Sequence, residues 1–355
     1  QNMGLGATTV VVEYAKCTTS RTSYTGILYV ATQCEVQSGY SLGNTKIECQ
    51  SVPGVGSGLC WRVSVDGDTS PFSVQTTSYA RPIISAVPGS YSLPTSSGVT
   101  VYINGEYFGS NSNAPVVKYK NSVGNLFYAT NCVVATDHVR ISCISSKGAG
   151  KNLEWFVVVG GISSVGHTQT SAAGSSYKQA NISQIYVDGF GSSSTKNFLL
   201  GKGGQTLQVV GQNFGPNGTK VILEYGGYTT SDCAVRMDHV LIECISVAGI
   251  GKDLKARVTA ADLPGLWTGD SALISYRVPV IMGLTGSGVS LRSQTTGNSL
   301  VEIHGENFGP PYSAPCDRVV AFKDPLLVKY GGIYTAKCCE VVSDMKIECL
   351  TTDGV

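Results

Sequence analysis

The sequence predicts an all-β protein of tandem antiparallel β-sandwiches arranged as a rod, and three observations carry that expectation. The first is a repeat. Gly105-Glu106-Tyr107-Phe108-Gly109 recurs as Gly211-Gln212-Asn213-Phe214-Gly215 and as Gly305-Glu306-Asn307-Phe308-Gly309, with a worn copy at Asn2-Met3-Gly4. From Gly4 through Gly109 and Gly215 to Gly309 the closing glycines lie 105, 106 and 94 positions apart, which is the signature of an array. The second observation is period-two alternation of apolar and polar residues between Gly, Ser, Pro and Asn clusters, with no convincing helical period anywhere. The third is a pair of cysteines at a recurring place in every copy.

Each copy runs through the same elements in the same order. After Phe-Gly comes a short strand ending in tyrosine: Val12-Glu13-Tyr14, Val117-Lys118-Tyr119, Leu223-Glu224-Tyr225 and Val328-Lys329-Tyr330. The two cysteines follow, as in the segments from Cys132 to Cys143 and from Cys233 to Cys244. A glycine turn is next, Gly54-Val55-Gly56, Gly148-Ala149-Gly150 or Gly249-Ile250-Gly251. The last strand places Leu59, Trp61, Val63 and Val65 on one face, then Leu153, Trp155, Val157 and Val159, then Leu254, Ala256 and Val258. One face of such a strand is core and the other meets solvent. About seven strands per hundred residues, separated by turn signals, describe an antiparallel sandwich. The organisation expected is a partial module over 1–79, complete modules over 80–178 and 179–276, and a partial module over 277–355, so that the ends are completed by neighbouring polypeptide.

The cysteines fit this geometry. Between Cys132 and Cys143 a strand runs out, turns near Thr136-Asp137-His138 and returns, which sets the two cysteines opposite each other. Opposed residues in an antiparallel pair lie about 4.5–5.5 Å apart at Cα, within the reach of a disulfide. The same reasoning pairs Cys34 with Cys49, Cys233 with Cys244, and Cys339 with Cys349. Spacing favours Cys338 as the partner of Cys349, whereas the match of Cys339-Glu340-Val341 to Cys34-Glu35-Val36 favours Cys339. Two further bridges, Cys17 to Cys60 and Cys316 to Cys338, use the remaining four. Cys60 replaces Glu154 and Lys255 of other copies, so its bridge is expected to be a staple on the surface. Twelve cysteines in recurring positions argue for an oxidising compartment, extracellular or at the cell surface.

Composition narrows the function. Charged residues are 14% of the chain and the formal net charge is +1, against a usual charged share of about 25%. No basic stripe suggests nucleic acid, and no apolar run approaches the length of a membrane span. No Cys-x-x-Cys pair supports zinc, and Asp66-Gly67-Asp68 offers too few ligands for calcium. Gly148-Ala149-Gly150-Lys151-Asn152-Leu153 imitates a phosphate loop, but a strand follows it where a phosphate site needs a helix. His138 and His239 recur after an aspartate and read as a turn, while His167 and His304 stand alone. The expectation is no catalytic residue, no metal and no cofactor. Asn181-Ile182-Ser183 and Asn217-Gly218-Thr219 are N-glycosylation sequons in expected loops, so covalent glycans at Asn181 and Asn217 are expected to keep this charge-poor surface soluble.

An opening such as Arg81-Pro82-Ile83-Ile84, followed by strand, Gly-x-Asn-Phe-Gly, strand, paired cysteines and Gly-x-Gly, resembles the IPT/TIG domain. The resemblance covers essentially the whole chain, although the third opening, Ala180-Asn181-Ile182-Ser183, lacks the proline. It implies an immunoglobulin-like β-sandwich and an extracellular structural or interaction role, as in plexins and large surface proteins. The function expected is a structural repeat protein that forms or decorates a surface filament, sheath or adhesive fibre, partnered head-to-tail by copies of itself. The alternatives are the ectodomain of a recognition receptor, or accessory modules of a larger enzyme.

Overall fold

The computed structural model describes residues 9–37, 46–168, 174–188, 198–270, 272–289, 295–313 and 326–354. Among them the fold is all-β: the strands are antiparallel except for a short parallel pair, and the single helical element is one 3-10 turn at Ser287–Val289. The chain divides into two compact units, Gln1–Tyr177 and Lys178–Val355, each carrying two copies of the sequence repeat.

In the first unit the complete copy is two sheets packed face to face. One sheet runs Thr130–Thr136, Arg140–Ile144, Thr100–Glu106, Ile83–Ala86. The other runs Leu126–Tyr128, Val116–Lys120, Glu154–Val159, Ile162–Ser163, with His167–Thr168 also on Glu154–Val159. Alternation explains the packing. Val101 and Ile103 from one sheet meet Tyr119, Trp155 and Val157 from the other in a shared core, while the residues between them face outward. Each large apolar side chain so buried contributes about 1.5–3 kcal/mol. The first copy has a sheet of Tyr24–Val30, Val10–Cys17 and Leu59–Val65 with short edge pairings, and a separate hairpin of Thr32–Gln37 with Lys46–Gln50.

The second unit repeats the plan. Asn181–Val187, Thr206–Gln212, Leu241–Ile245 and Cys233–Met237 make one sheet, and Tyr228–Thr230, Val221–Tyr225, Ala256–Ala260 and Leu263–Pro264 the other. Its last copy builds a five-stranded sheet of Val280–Thr285, Leu300–Glu306, Lys346–Leu350, Lys337–Ser343 and Tyr312–Ser313. Beside that sheet, the described residues of this copy also form the small hairpin Lys329–Tyr330/Tyr334–Thr335.

Five disulfides join described residues: Cys17–Cys60, Cys34–Cys49, Cys132–Cys143, Cys233–Cys244 and Cys339–Cys349. The four hairpin bridges hold Cα atoms 4.0–4.1 Å apart, close to the separation of a non-hydrogen-bonded antiparallel pair. The backbone explains why Cys339 takes Cys349. Gln33, Asn131 and Cys338 each stand one residue before the bridging cysteine with φ of +50°, +50° and +49°, an extra residue that turns the next side chain inward. Cys338 is itself in a disulfide, and its expected partner Cys316 lies outside the described residues. The expected surface staple at Cys60 requires correction, because Cys60 is wholly buried. Its outward face is covered by the bridge to Cys17, and Thr76–Thr77 pairs along that stretch of strand.

Candidate functional site

The recurring constellation in this chain is the glycine turn and the aromatic clamp around it. Three rings contribute. The tyrosine that ends the short strand accepts a hydrogen bond from the backbone two residues before the turn glycine: Tyr14 from Val52 N at 3.0 Å, Tyr119 from Ser146 N at 2.9 Å, Tyr225 from Val247 N at 3.0 Å, and Tyr330 from Thr352 N at 2.9 Å. A second tyrosine donates to the carbonyl of that same residue: Tyr79 to Val52 O at 2.6 Å, Tyr177 to Ser146 O at 3.0 Å, and Tyr276 to Val247 O at 2.8 Å. The two hydroxyls touch, at 2.7 Å for Tyr14 and Tyr79 and 3.0 Å for Tyr119 and Tyr177. A third ring, Tyr29, Phe127 or Tyr228, closes the cage, and Tyr29 and Tyr228 also bind the backbone of the turn's middle residue.

The cage fixes the identity of the first turn glycine. A Cβ at Gly54 would lie 2.5 Å from the Tyr79 hydroxyl, at Gly148 2.4 Å from that of Tyr177, and at Gly249 2.5 Å from that of Tyr276. Burial is the main cause that pushes the Tyr79, Tyr177 and Tyr276 phenols far above the ordinary tyrosine value, reinforced by the neighbouring tyrosine. Trp61 and Trp155 stack on Tyr14 and Tyr119 with centroids 4.1 Å apart, tying the closing strand to the clamp.

The clamped turn presents its middle residue to the next copy. Within the first unit, Val55 packs against the core of the following sandwich and sits on Gly109, where a Cβ would lie 2.5 Å from Val55 Cγ1. Within the second unit, Ile250 sits on Gly309 in the same way, at 2.4 Å from Cγ2. The receiving loop is Gly-x-Asn/Tyr-Phe-Gly, and each position has a reason. The first glycine lies beneath the phenylalanine ring and against the edge strand: a Cβ at Gly105 would be 1.9 Å from Ile83 O and 2.5 Å from the Phe108 ring. The middle residue is left-handed, with φ of +62°, +64° and +62° at Tyr107, Asn213 and Asn307, a region that favours asparagine. The phenylalanines are buried, and their amides donate to the hairpin turn, Phe108 to His138 O and Phe214 to His239 O, both at 3.1 Å. The aspartates of that turn accept from the receiving loop, Asp137 from Asn111 N at 2.9 Å and Asp238 from Asn217 N at 2.8 Å. Asp137-His138 and Asp238-His239 are therefore structural supports of the Phe-Gly loop in their own copies.

Other residues singled out in the sequence lie elsewhere. Asp66 accepts from Thr9 N in a hairpin turn, His167 is in a short edge strand, and His304 contacts Thr285. Among the described residues no three His, Cys, Asp or Glu side chains gather as a metal site, and no helix is long and apolar enough to cross a membrane. The expected loop at Asn181 requires correction, because Asn181 is exposed but opens the strand Asn181–Val187 and pairs with Gln212, whereas Asn217 is exposed in a turn closed by Thr219 N on Pro216 O. Sequence reasoning missed Tyr79, Tyr177 and Tyr276, although a signal was present: the dipeptide Ser-Tyr recurs at 78–79, 176–177 and 275–276, just ahead of each copy's opening.

No protein-family model matches this sequence, and no curated protein matches it. Among solved structures the chain is similar to the full extracellular region of plexin A4, domains 1 to 10, at 14% identity with a TM-score of 0.24. The match covers 98% of this chain and 31% of that one, so this chain spans less than a third of the neighbour's length, and a likeness of that degree carries no weight for fold or function.

Proposed function

We propose that this chain is a section of an extracellular, glycosylated array of IPT/TIG-type, immunoglobulin-like sandwiches, whose work is structural: it spaces and links modules and joins head-to-tail with copies of itself in a surface filament, sheath or fibre. The observation that carries the reading is the junction, seen once in each unit, in which a tyrosine-clamped turn seats Val55 on Gly109 or Ile250 on Gly309. A module that spends a buried aromatic cage on holding one apolar residue out to its neighbour is built for end-to-end contact. Five disulfides support an oxidising compartment. The exposed asparagines Asn181 and Asn217 of the two sequons offer sites for sugar on a surface with little charge.

The test is to prepare the chain through a secretory pathway, then measure its assembly by analytical ultracentrifugation and electron microscopy and its sugar by mass spectrometry with and without glycosidase. Concentration-dependent linear oligomers are expected. A monodisperse monomer at every concentration would rule out the filament and favour a recognition ectodomain, and unmodified Asn181 and Asn217 would remove the glycan part of the reading.

A further inference from the structure

Asn-Gly, in which no side chain shields the peptide nitrogen that follows the asparagine, occurs twice in the chain, at Asn104-Gly105 and Asn217-Gly218. The fold treats the two oppositely. Asn104 lies inside the strand Thr100–Glu106, paired with Ala86 on one side and Arg140 on the other, and its Oδ1 accepts from Arg140 Nε at 3.0 Å. Gly105 N donates to Val139 O at 2.9 Å. Both the side-chain amide and the nitrogen after it are therefore held in place.

Asn217 and Gly218 are instead the two central residues of the turn that Thr219 N closes on Pro216 O at 3.0 Å. Gly218 has a φ of +85°, the left-handed value that the second central residue of a type II turn requires. Both residues are exposed, and a Cβ at Gly218 would meet no atom within 4 Å. Among the described residues the Asn217 side-chain amide and the Gly218 N–H have no hydrogen-bond partner. Rotating the peptide between them, until the Gly218 nitrogen faces Asn217 Cγ, therefore costs one turn hydrogen bond and no packing.

We propose that Asn217 is a site of spontaneous deamidation, open in chains without sugar there and closed by a glycan. Hydroxide takes the Gly218 amide proton, the nitrogen bonds to Asn217 Cγ, and the Cγ–Nδ2 bond breaks, so that Nδ2 leaves as ammonia with a proton from water. Water then opens the cyclic imide. Cleavage at Cγ gives aspartate, and cleavage at the main-chain carbonyl carbon gives isoaspartate, which lengthens the main chain by one methylene. Either product sets a carboxylate beside Asp238, whose Oδ1 accepts from Asn217 N at 2.8 Å. That hairpin turn holds the Phe-Gly loop of its copy through Phe214 N on His239 O and His239 N on Gly215 O. Like-charge repulsion and the longer chain loosen the loop. A sugar on Nδ2 makes the leaving group a bulky glycosylamine and stops the attack. This last clause rests on the glycan reading of Asn217; the reaction of the bare amide does not.

For the test, the full chain is made in a bacterial periplasm, where disulfides form and no such sugar is added, and is aged at about pH 9 beside a reduced sample in urea. Peptide mapping with electron-transfer fragmentation reads deamidation and isoaspartate at both sites. In the folded chain Asn217 is expected to convert at least about tenfold faster than Asn104, because reaction at Asn104 requires its strand to open. In urea the two should convert at similar rates. The amides of Phe214 and His239 should exchange faster in the aged chain than in the fresh one, while Asn217→Gln, aged alike, keeps their protection. Equal conversion of the two sites in the folded chain would overturn the proposal. So would an intact Asn217 in the folded chain beside conversion in urea, since the turn would then hold the amide out of reach. Unchanged exchange after ageing would overturn the loosening. The glycan is judged in chain from a secretory host, where Thr219→Ala removes the sequon and leaves Asn217-Gly218. Sugar-bearing chain should resist ageing, and Thr219→Ala should age as the bare chain does. A host that adds no sugar at Asn217 defeats the glycan reading, while the bare chain still decides the deamidation.

Discussion

Tyr177 shows how a single side chain can fix its neighbours' identities. Its hydroxyl binds Ser146 O and Tyr119, and the same oxygen stands where a Cβ on Gly148 would have to go. Gly148 has no positive φ, so the penalty for Gly148→Ala is steric and falls on a packed cage. A loss of about 1–3 kcal/mol is expected, read as a lower urea midpoint. The clamp also sets an alkaline limit. Up to about pH 10 the phenols of Tyr79, Tyr177 and Tyr276 are protonated in folded and unfolded chains alike; above it the unfolded chain releases protons that the fold retains, so stability falls as pH rises. The urea midpoint should therefore decline above about pH 10, and less steeply with Tyr177→Phe. At this scale the sequence disclosed the glycines, the phenylalanines and the first tyrosines, because they sit in contiguous words. It concealed the second tyrosines, because the clamp joins Tyr119 to Tyr177 across 58 positions and only folding brings their hydroxyls together.

Among the elements, the cysteine hairpin was the most legible, since a strand, a turn and a return strand put opposed residues within disulfide reach from spacing alone. What spacing could not fix was the left-handed residue before the bridging cysteine, on which the choice of Cys339 over Cys338 depends. Burial at Cys60 was misread for a related reason. Alternation assigns a side chain to a face, but it does not know that another segment, here Thr76–Thr77, pairs along that strand and that a bridge to Cys17 caps it. The bridge between Cys233 and Cys244 closes a loop of separation 11 in a hairpin where the two cysteines are directly paired and the register shifts between Val235 and Met237. Replacing both by serine should cost about 2–3 kcal/mol in denaturant unfolding while leaving the strand content seen by circular dichroism intact at low temperature. A loss of the sheet signal itself would mean that the hairpin is held by the disulfide rather than merely stabilised by it.

For the molecule as a whole, the array could be read from periodicity, but the contact between successive copies could not, because it pairs two motifs that the sequence presents as unrelated turns. Val55 illustrates the coupling. Its backbone is held by Tyr29 through both N–H and carbonyl, at 3.0 Å each, so the turn's shape does not depend on the valine side chain. That side chain packs against the following sandwich at Gly109, next to the loop secured by Phe108 N on His138 O, His138 N on Gly109 O and Asn111 N on Asp137. Val55→Gly should therefore leave the donor copy folded and loosen the receiver. In hydrogen exchange, the amides of Phe108, Asn111 and His138 should exchange faster, while those of Val10–Cys17 and Leu59–Val65 keep their protection. Val55→Ile, which retains the branched contact found at Ile250, should preserve protection in the receiving loop. Unchanged exchange there in Val55→Gly would mean that the seat carries no coupling and that each copy stands by itself.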